Sequence, residues 1–380
     1  MRVVTTPTLL FLFACSSTDR DSGPTDGPST APDTQDTQDT VATSTETGDT
    51  GEPRSQCAEV PCELLSEYGF FRGALADLDP WDDVVPYEVA APLWSDNASK
   101  HRAIVLPQSG AITFDEGEDW VWPAGTILIK TFAFPEDLRV PDGPRHLVET
   151  RLLVHDPVEG WTGHVYLWDD DQVDAVRFVA GTRVDVQYVD VDGTQRDEEY
   201  VVPNTNQCEG CHVRDEVGIP LGPFTHQLNL VEADGGQQLE RLAPLFDAPI
   251  PDVASLAAFP DPFGTADVTD RARAYLHANC AHCHRTGGPA SKSGLSLLAW
   301  EKDPRAYGVC KIPAAAGEGT GGFSYDIVPG DPTQSILPYR MGSTDPEVKM
   351  PELPNLLPHP PGIEVVEAWI AAMPPEPCDE

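Results

Sequence analysis

Two segments of this chain read Cys-x-x-Cys-His: Cys208-Glu209-Gly210-Cys211-His212 and Cys280-Ala281-His282-Cys283-His284. No other feature restricts the fold as tightly. The spacing suits one chemistry. Two thiols add to the two vinyl groups of a haem, and the adjacent histidine then lies under the iron as its proximal ligand. A single match could be half of a zinc knuckle or a redox dithiol. A zinc site would need further Cys or His pairs at metal spacing, and none is clear. The motifs therefore predict two covalently bound haem c groups, with Cys208, Cys211, His212, Cys280, Cys283 and His284 as attachment residues and His212 and His284 as proximal iron ligands.

Haem c is attached outside the cytoplasm, so the N-terminus must agree. Arg2 precedes a short apolar run, Leu9 to Ala14, far below the ~18 residues of a membrane span. The run ends Leu12-Phe13-Ala14-Cys15, which resembles a bacterial lipoprotein signal with Cys15 as the lipidated residue; an ordinary secretory signal is the alternative. Residues 16–56 are rich in Thr, Asp, Ser, Pro and Gly and cannot recover their ordering entropy by burial. They read as a tether with an r.m.s. span of about 35 Å. The expected location is the periplasm or cell surface, with a lipid anchor to the outer membrane as the only membrane contact.

Charge narrows the partners. The formal net charge is −38, which excludes nucleic-acid binding through a basic surface. Residues 57–262 hold 38 acidic and 12 basic residues, whereas 263–380 hold 15 and 9. The acidity thus belongs mainly to the first folded half, and a redox partner with a basic docking surface is expected.

The second motif sits in a recognisable frame. Asp270 to Ala278 predicts a helix leading into Cys280, and Gly287-Gly288-Pro289 predicts a tight turn after the motif. Val328-Pro329-Gly330-Asp331-Pro332 opens a short helix through Ser335, Ile336 and Leu337. Met350-Pro351 follows, and Gly362 to Met373 predicts a last helix with Ile363, Val366, Ile370 and Met373 at helical spacing. This order resembles class I cytochromes c. Met350 is the candidate distal ligand of the second haem, with Met341 as its rival; a His/Met pair raises the potential.

The first motif lacks a nearby methionine, because no Met lies between Met1 and Met341. Three options stay open: a histidine of the same half (His101, His146, His155, His164 or His226, with His101 in Lys100-His101-Arg102 the first choice), a ligand from the second half such as Met341, or an open iron. Cys57, Cys62, Cys310 and Cys378 remain. The domain layout favours Cys57–Cys62 and Cys310–Cys378 disulfides, the second closing a loop worth roughly 4 kcal/mol in the loop-entropy model.

Residues 84–202 read as short strands in series. Ile127, Ile129, Phe132 and Phe134 mark one, Leu147 to Val154 another, and Asp192-Gly193 is a hairpin signal. Such strands suggest an antiparallel sandwich or barrel. The run Asp169-Asp170-Asp171 reads as a solvated turn, with Ca²⁺ binding as its alternative. No GxSxG, Walker or HExxH pattern appears, so no catalytic residue is assigned. The overall expectation is an α+β, multidomain chain: signal 1–15, tether 16–56, a β-rich sandwich- or barrel-like domain at 57–262 ending in the first haem site, and a mainly α-helical cytochrome c domain at 263–380.

Tyr68-Gly69-Phe70-Phe71, Pro86-Tyr87-Glu88-Val89, Leu93-Trp94-Ser95-Asp96 through Lys100-His101-Arg102, Pro123-Ala124-Gly125-Thr126 through Lys130-Thr131-Phe132, Glu149-Thr150-Arg151-Leu152-Leu153 and Gln207-Cys208 through His212 together resemble a family of exported bacterial di-haem c-type cytochromes. The resemblance spans about residues 57–375. It implies two covalent haems and electron transfer without fixing a physiological substrate. Electron carriage is therefore the first functional expectation. A di-haem peroxidase or oxidase with an open first haem is the second, disfavoured by the 72 residues between Cys208 and Cys280 and by the large β-rich region before them. A ligand-binding or adhesion module carrying cytochromes is the third.

Overall fold

The computed structural model describes residues 57, 60–314, 316–352 and 355–378. The signal with Cys15 and the tether at 16–56 lie outside the described residues. The described residues belong to one compact unit.

A short antiparallel pair, β1 (Phe71–Arg72) and β2 (Asp79–Pro80), precedes the main sheet. That sheet has six antiparallel strands in chain order: β3 (Val84–Pro86), β4 (Ser99–Val105), β5 (Ile127–Pro135), β6 (Arg145–Asp156), β7 (Gly160–Trp168) and β8 (Ala175–Arg177). The order ends at β3 and β8, so the sheet is open and not closed into a barrel. Alternation along the strands sorts side chains between two faces. Ala103, Ile129, Leu152, Tyr166 and Trp168 point to one face and are covered by Leu65, Tyr68 and Phe70.

The opposite face is covered in two patches. Ile104 and Leu128 meet Trp120, Trp122, Leu228 and Leu239. Phe132, Phe134, Val148 and Val165 meet Val186, Tyr188, Tyr200 and Val202. The last four come from a hairpin, β9 (Thr182–Val189) and β10 (Gln195–Val202). Its turn uses Gly193 at φ 83°, where a Cβ would be strained, as the Asp192-Gly193 pair predicts. Arg102, Lys130 and Arg151 stand on this same face by strand parity.

Among the described residues, six α-helices and one further small hairpin accompany the sheet, beside shorter 3-10 turns. They are α1 (Thr205–Cys211), the hairpin of β11 (Val213–Arg214) and β12 (Val217–Gly218), α2 (Thr225–Leu228), α3 (Gln238–Leu242), α4 (Val268–Leu276), α5 (Ile336–Met341) and α6 (Pro360–Ala372). Asp267 caps α4 by accepting from the Thr269 amide at 2.8 Å. Pro360 and Pro361 open α6, where a missing amide hydrogen costs nothing. α4 and α6 pack on each other, burying Tyr275, Leu276, Val366, Trp369 and Ile370 with Met341 and Ile327. Each such side chain contributes about 1.5–3 kcal/mol of transfer free energy. The crossing is close because residue 362 is glycine: a Cβ there would lie 2.2 Å from the Tyr275 ring.

Disulfides join Cys57 to Cys62 and Cys310 to Cys378, with Cα separations of 5.5 and 5.1 Å. The pairing is the one the layout favours. Among the described residues no helix is long and apolar enough to cross a membrane.

Candidate functional site

The first motif is set by a helix start. The Asn204 side chain accepts from the Gln207 amide at 2.9 Å, and the Gln207 side chain accepts from the Asn204 amide at 2.8 Å. This reciprocal cap fixes α1, so Cys208 and Cys211, three residues apart, share a helix face. α1 rests on β7 at a notch. Residue 163 is glycine, and a Cβ there would lie 2.8 Å from Cys208 Cβ.

α1 stops at His212, and the β11–β12 hairpin turns the chain back through Asp215 and Glu216 at positive φ. Ile219 then lies beside the histidine. Its carbonyl is 3.1 Å from His212 Nδ1. A carbonyl only accepts, so Nδ1 carries the proton and Nε2 keeps its lone pair. Burial pushes the imidazole pKa down to about 4, which leaves the ring neutral at physiological pH.

His284 reaches the same posture by other means. α4 runs into a wide π-type turn over His277–Ala281, and His284 N then donates to Cys280 O at 2.9 Å. His284 Nδ1 lies 3.0 Å from Ser293 Oγ. The Ser293 hydroxyl donates to the Ala290 carbonyl at 2.7 Å. Its oxygen is therefore an acceptor toward His284, and Nε2 is again the open nitrogen. Burial first, then the charges of His282, Arg340 and Lys311, lowers His284 to about 4. A neighbour that fixes the tautomer is what a ligating histidine needs.

The two motifs adjoin. The Cys211 and Cys283 thiols are hydrogen-bonding neighbours, with His282 beside Cys211. Asp215 N donates to Gly287 O at 3.0 Å, and a Cβ on Gly287 would overlap the Asp215 carboxylate at 2.3 Å.

A cleft with about 1460 Å³ of atom-free space, part of it open to solvent, runs between the sheet and these motifs. Cys208, Cys211 and His212 border it on one side and Arg102, Lys130 and Arg151 on another. His277, His282 and Arg285, from around the second motif, close it. Glu118 bridges the parts: it accepts from Arg285 Nη2 at 2.7 Å, lies 3.2 Å from His277 Nε2 and 3.7 Å from Arg214 Nη1. Burial alone would raise its pKa. The hydrogen bonds and charges of His277 and Arg285 outweigh that and hold the carboxyl at about 2. His277 Nδ1 accepts from Ala299 N at 3.3 Å, so Nε2 carries the proton given to Glu118, and both ring nitrogens are engaged.

The segment Leu93 to Asp96 ties the β-rich half to the second motif. Trp94 N donates to Asn279 Oδ1 at 2.7 Å, and Trp94 stacks on His359 with ring centroids 4.0 Å apart. The Asp96 carboxylate accepts from Leu356 N and Leu357 N, both at 2.8 Å at their shortest. Met350 lies in the loop just before these residues. Its amide donates to Arg340 O at 3.0 Å, and Lys349 Nζ holds the loop by donating to the carbonyls of Pro351, Glu352 and Asn355 at 2.7–2.9 Å. The Glu352 charge is felt at Cys283, which places this loop near the second motif, and that of Arg340, on α5, is felt at His284. Met341 is buried in the α4–α6 core.

His101 is not brought to the cleft. It pairs with Thr131 on β5, and Thr131 bonds Thr150, which bonds Trp168, all on the face covered by Leu65 and Tyr68. Its neighbours Lys100 and Arg102 point the other way. Strand parity makes the difference: of three consecutive residues, the outer two share a face. His164 borders the cleft beside Gly163, but its side chain shares the face of Tyr166 and Trp168 by the same rule, with Nε2 3.1 Å from Thr162 Oγ1. The cleft-facing residues that motif reading misses are Arg102, Lys130, Arg151, Glu118, His277, His282 and Arg285. A signal existed for Lys130, the lone charged residue in a strand of apolar and β-branched neighbours.

No family model, curated protein or solved structure matches the chain.

Proposed function

We propose that the chain is an exported di-haem c-type cytochrome that carries electrons between redox partners. One observation carries the reading. In both Cys-x-x-Cys-His segments the histidine has Nδ1–H committed to a neighbouring oxygen and Nε2 open. The local structures that achieve this are unrelated, so a common purpose is the economical explanation. Haem iron would supply the one-electron chemistry. Cys208, Cys211 and His212 would hold one group, and Cys280, Cys283 and His284 the other. The donor set suits iron porphyrin, and the cleft beside Cys208 offers a cradle with apolar walls at Leu128 and Leu153 and cations at its floor. Contact between the two motifs favours exchange within the chain, since no protein layer separates Cys211 from Cys283.

The second half reads further as a class I cytochrome c domain. The motif follows α4 directly, α6 packs back on α4 through Gly362 and Tyr275, and the Glu352 charge of the Met350 loop is felt at Cys283. Met350 is the proposed distal ligand there. Lipid anchoring through Cys15, a periplasmic or surface location and a basic partner surface complete the proposal.

The second reading, a di-haem peroxidase or oxidase with an open first iron, is favoured by a specific observation. His101 faces away from the cleft, and His277 has both nitrogens engaged. A ferrous-minus-ferrous-CO difference spectrum on protein with quantified haem separates the two. The carrier account expects two haems per chain and no more than one CO. Peroxide turnover by a CO-binding haem would replace it with the enzyme account.

A further inference from the structure

In β4, β5 and β6, Arg102, Lys130 and Arg151 are direct cross-strand partners on one face. Residues so paired stand about 4.5–5.5 Å apart, and like charges there repel. A row of three cations inside a protein is unstable unless anions meet it. Two carboxylates do. Glu88 Oε2 lies 3.2 Å from Arg102 Nη1, and Glu149 binds Arg151 through two hydrogen bonds of 2.9 and 2.5 Å. Lys130, in the middle, has neither a hydrogen bond nor a carboxylate within ion-pair distance among the described residues; its ammonium lies 5.0 Å from the Phe132 ring centroid. Lys100, two residues before Arg102 on the same face, likewise has no ion pair. Burial drives Lys130 well below the ordinary lysine range and Lys100 down to about 7, with the neighbouring cations adding to both shifts. Lys100 feels the Asp96 and Glu88 charges; the three cations of the row thus face two carboxylates, and all three border the cleft that Cys208, Cys211 and His212 also border.

The spacing identifies the missing anion. Cys208 sits on β7 at Gly163. Strands are about 4.8 Å apart, so β5 lies roughly 10 Å and β4 roughly 14 Å across the sheet from that point. A haem bound through its vinyl edge presents its two carboxylates at the opposite edge. We propose that the Arg102–Lys130–Arg151 row is a carboxylate-binding floor, and that Lys130 pairs with a propionate of the haem held by the first motif. The proposal rests on the haem reading given above.

The test is a spectroelectrochemical titration of wild type, Lys130→Met and Lys130→Arg, each with haem counted by mass. Methionine fills the lysine stem's volume without a buried charge and so suits folding. With the charge gone, the oxidised haem gains relative stability. One of the two one-electron waves of Lys130→Met should fall about tenfold in equilibrium, which is 59 mV. The other wave should stay, Lys130→Arg should restore the first, and the spin state and CO reactivity of each haem should match wild type. An unmoved wave in Lys130→Met overturns the proposal. So does a first haem turned high-spin and CO-binding, which would make Lys130 an axial ligand. If Lys130→Met loses the first haem, retention by Lys130→Arg sustains the proposal and loss by Lys130→Arg overturns it. Wild type without covalent haem refutes the haem reading itself.

Discussion

Glu118 offers a quantitative test of how the β-rich half is locked to the second motif. Its side chain is 15% exposed and meets Arg285, His277 and Arg214. The carboxyl falls from an ordinary 4.5 to about 2. At 1.36 kcal/mol per unit, that is at most about 3.4 kcal/mol of stability at neutral pH. His277 is itself pushed down by burial despite Glu118, so it is neutral at pH 7 and contributes a hydrogen bond instead of an ion pair. About 2–3 kcal/mol is therefore the expected loss for Glu118→Gln. Glutamine cannot replace the carboxylate. With its oxygen turned to Arg285, its amide nitrogen meets the Nε2–H of His277, donor against donor. A carboxyl depressed in the folded state stabilises fully above its unfolded pKa and loses that contribution as pH falls toward its folded pKa. The wild-type advantage over Glu118→Gln in urea unfolding should hold above about pH 5 and shrink toward pH 2. An advantage that is absent at pH 7, or constant from pH 6 to pH 2.5, would refute the reasoning.

Two further substitutions probe the second motif. Met350→Ala should make the second haem CO-reactive while leaving covalent attachment intact; an unchanged CO difference spectrum would show that Met350 is not its distal ligand. Gly362→Ala should destabilise the α4–α6 crossing, since the new Cβ would lie 2.2 Å from the Tyr275 ring. Overpacking costs about 1–3 kcal/mol and the helix-propensity gain returns about 1, so the urea midpoint should fall, and a rise would contradict the packing.

Local patterns in the sequence carried some elements fully. Both Cys-x-x-Cys-His segments, the Asp192-Gly193 turn and the helices into Cys280 and at the C-terminus depend on neighbours within one or two turns. The disulfides followed from the domain layout, which chose among the three pairings that four cysteines allow. The sheet's closure did not, because edges are decided by pairings between distant strands, and here β3 and β8 end the order without pairing each other, β8 meeting only Leu64 through a single bridge on its outer side. His101 shows the same boundary in one residue. Alternation says that His101 opposes Lys100 and Arg102, but not which side the cleft occupies. That is set by α1 docking on Gly163, some 60 residues later in the chain. Glu118 was invisible for the same reason: its partners His277 and Arg285 lie far along the sequence.

The central claim is that both Cys-x-x-Cys-His segments are haem attachment sites. Intact mass and a pyridine haemochrome on the protein purified from a host that matures c-type cytochromes test it together. The account predicts two covalent haems per chain and no alkylatable thiol at Cys208, Cys211, Cys280 or Cys283. A chain without haem whose four thiols all react would contradict it.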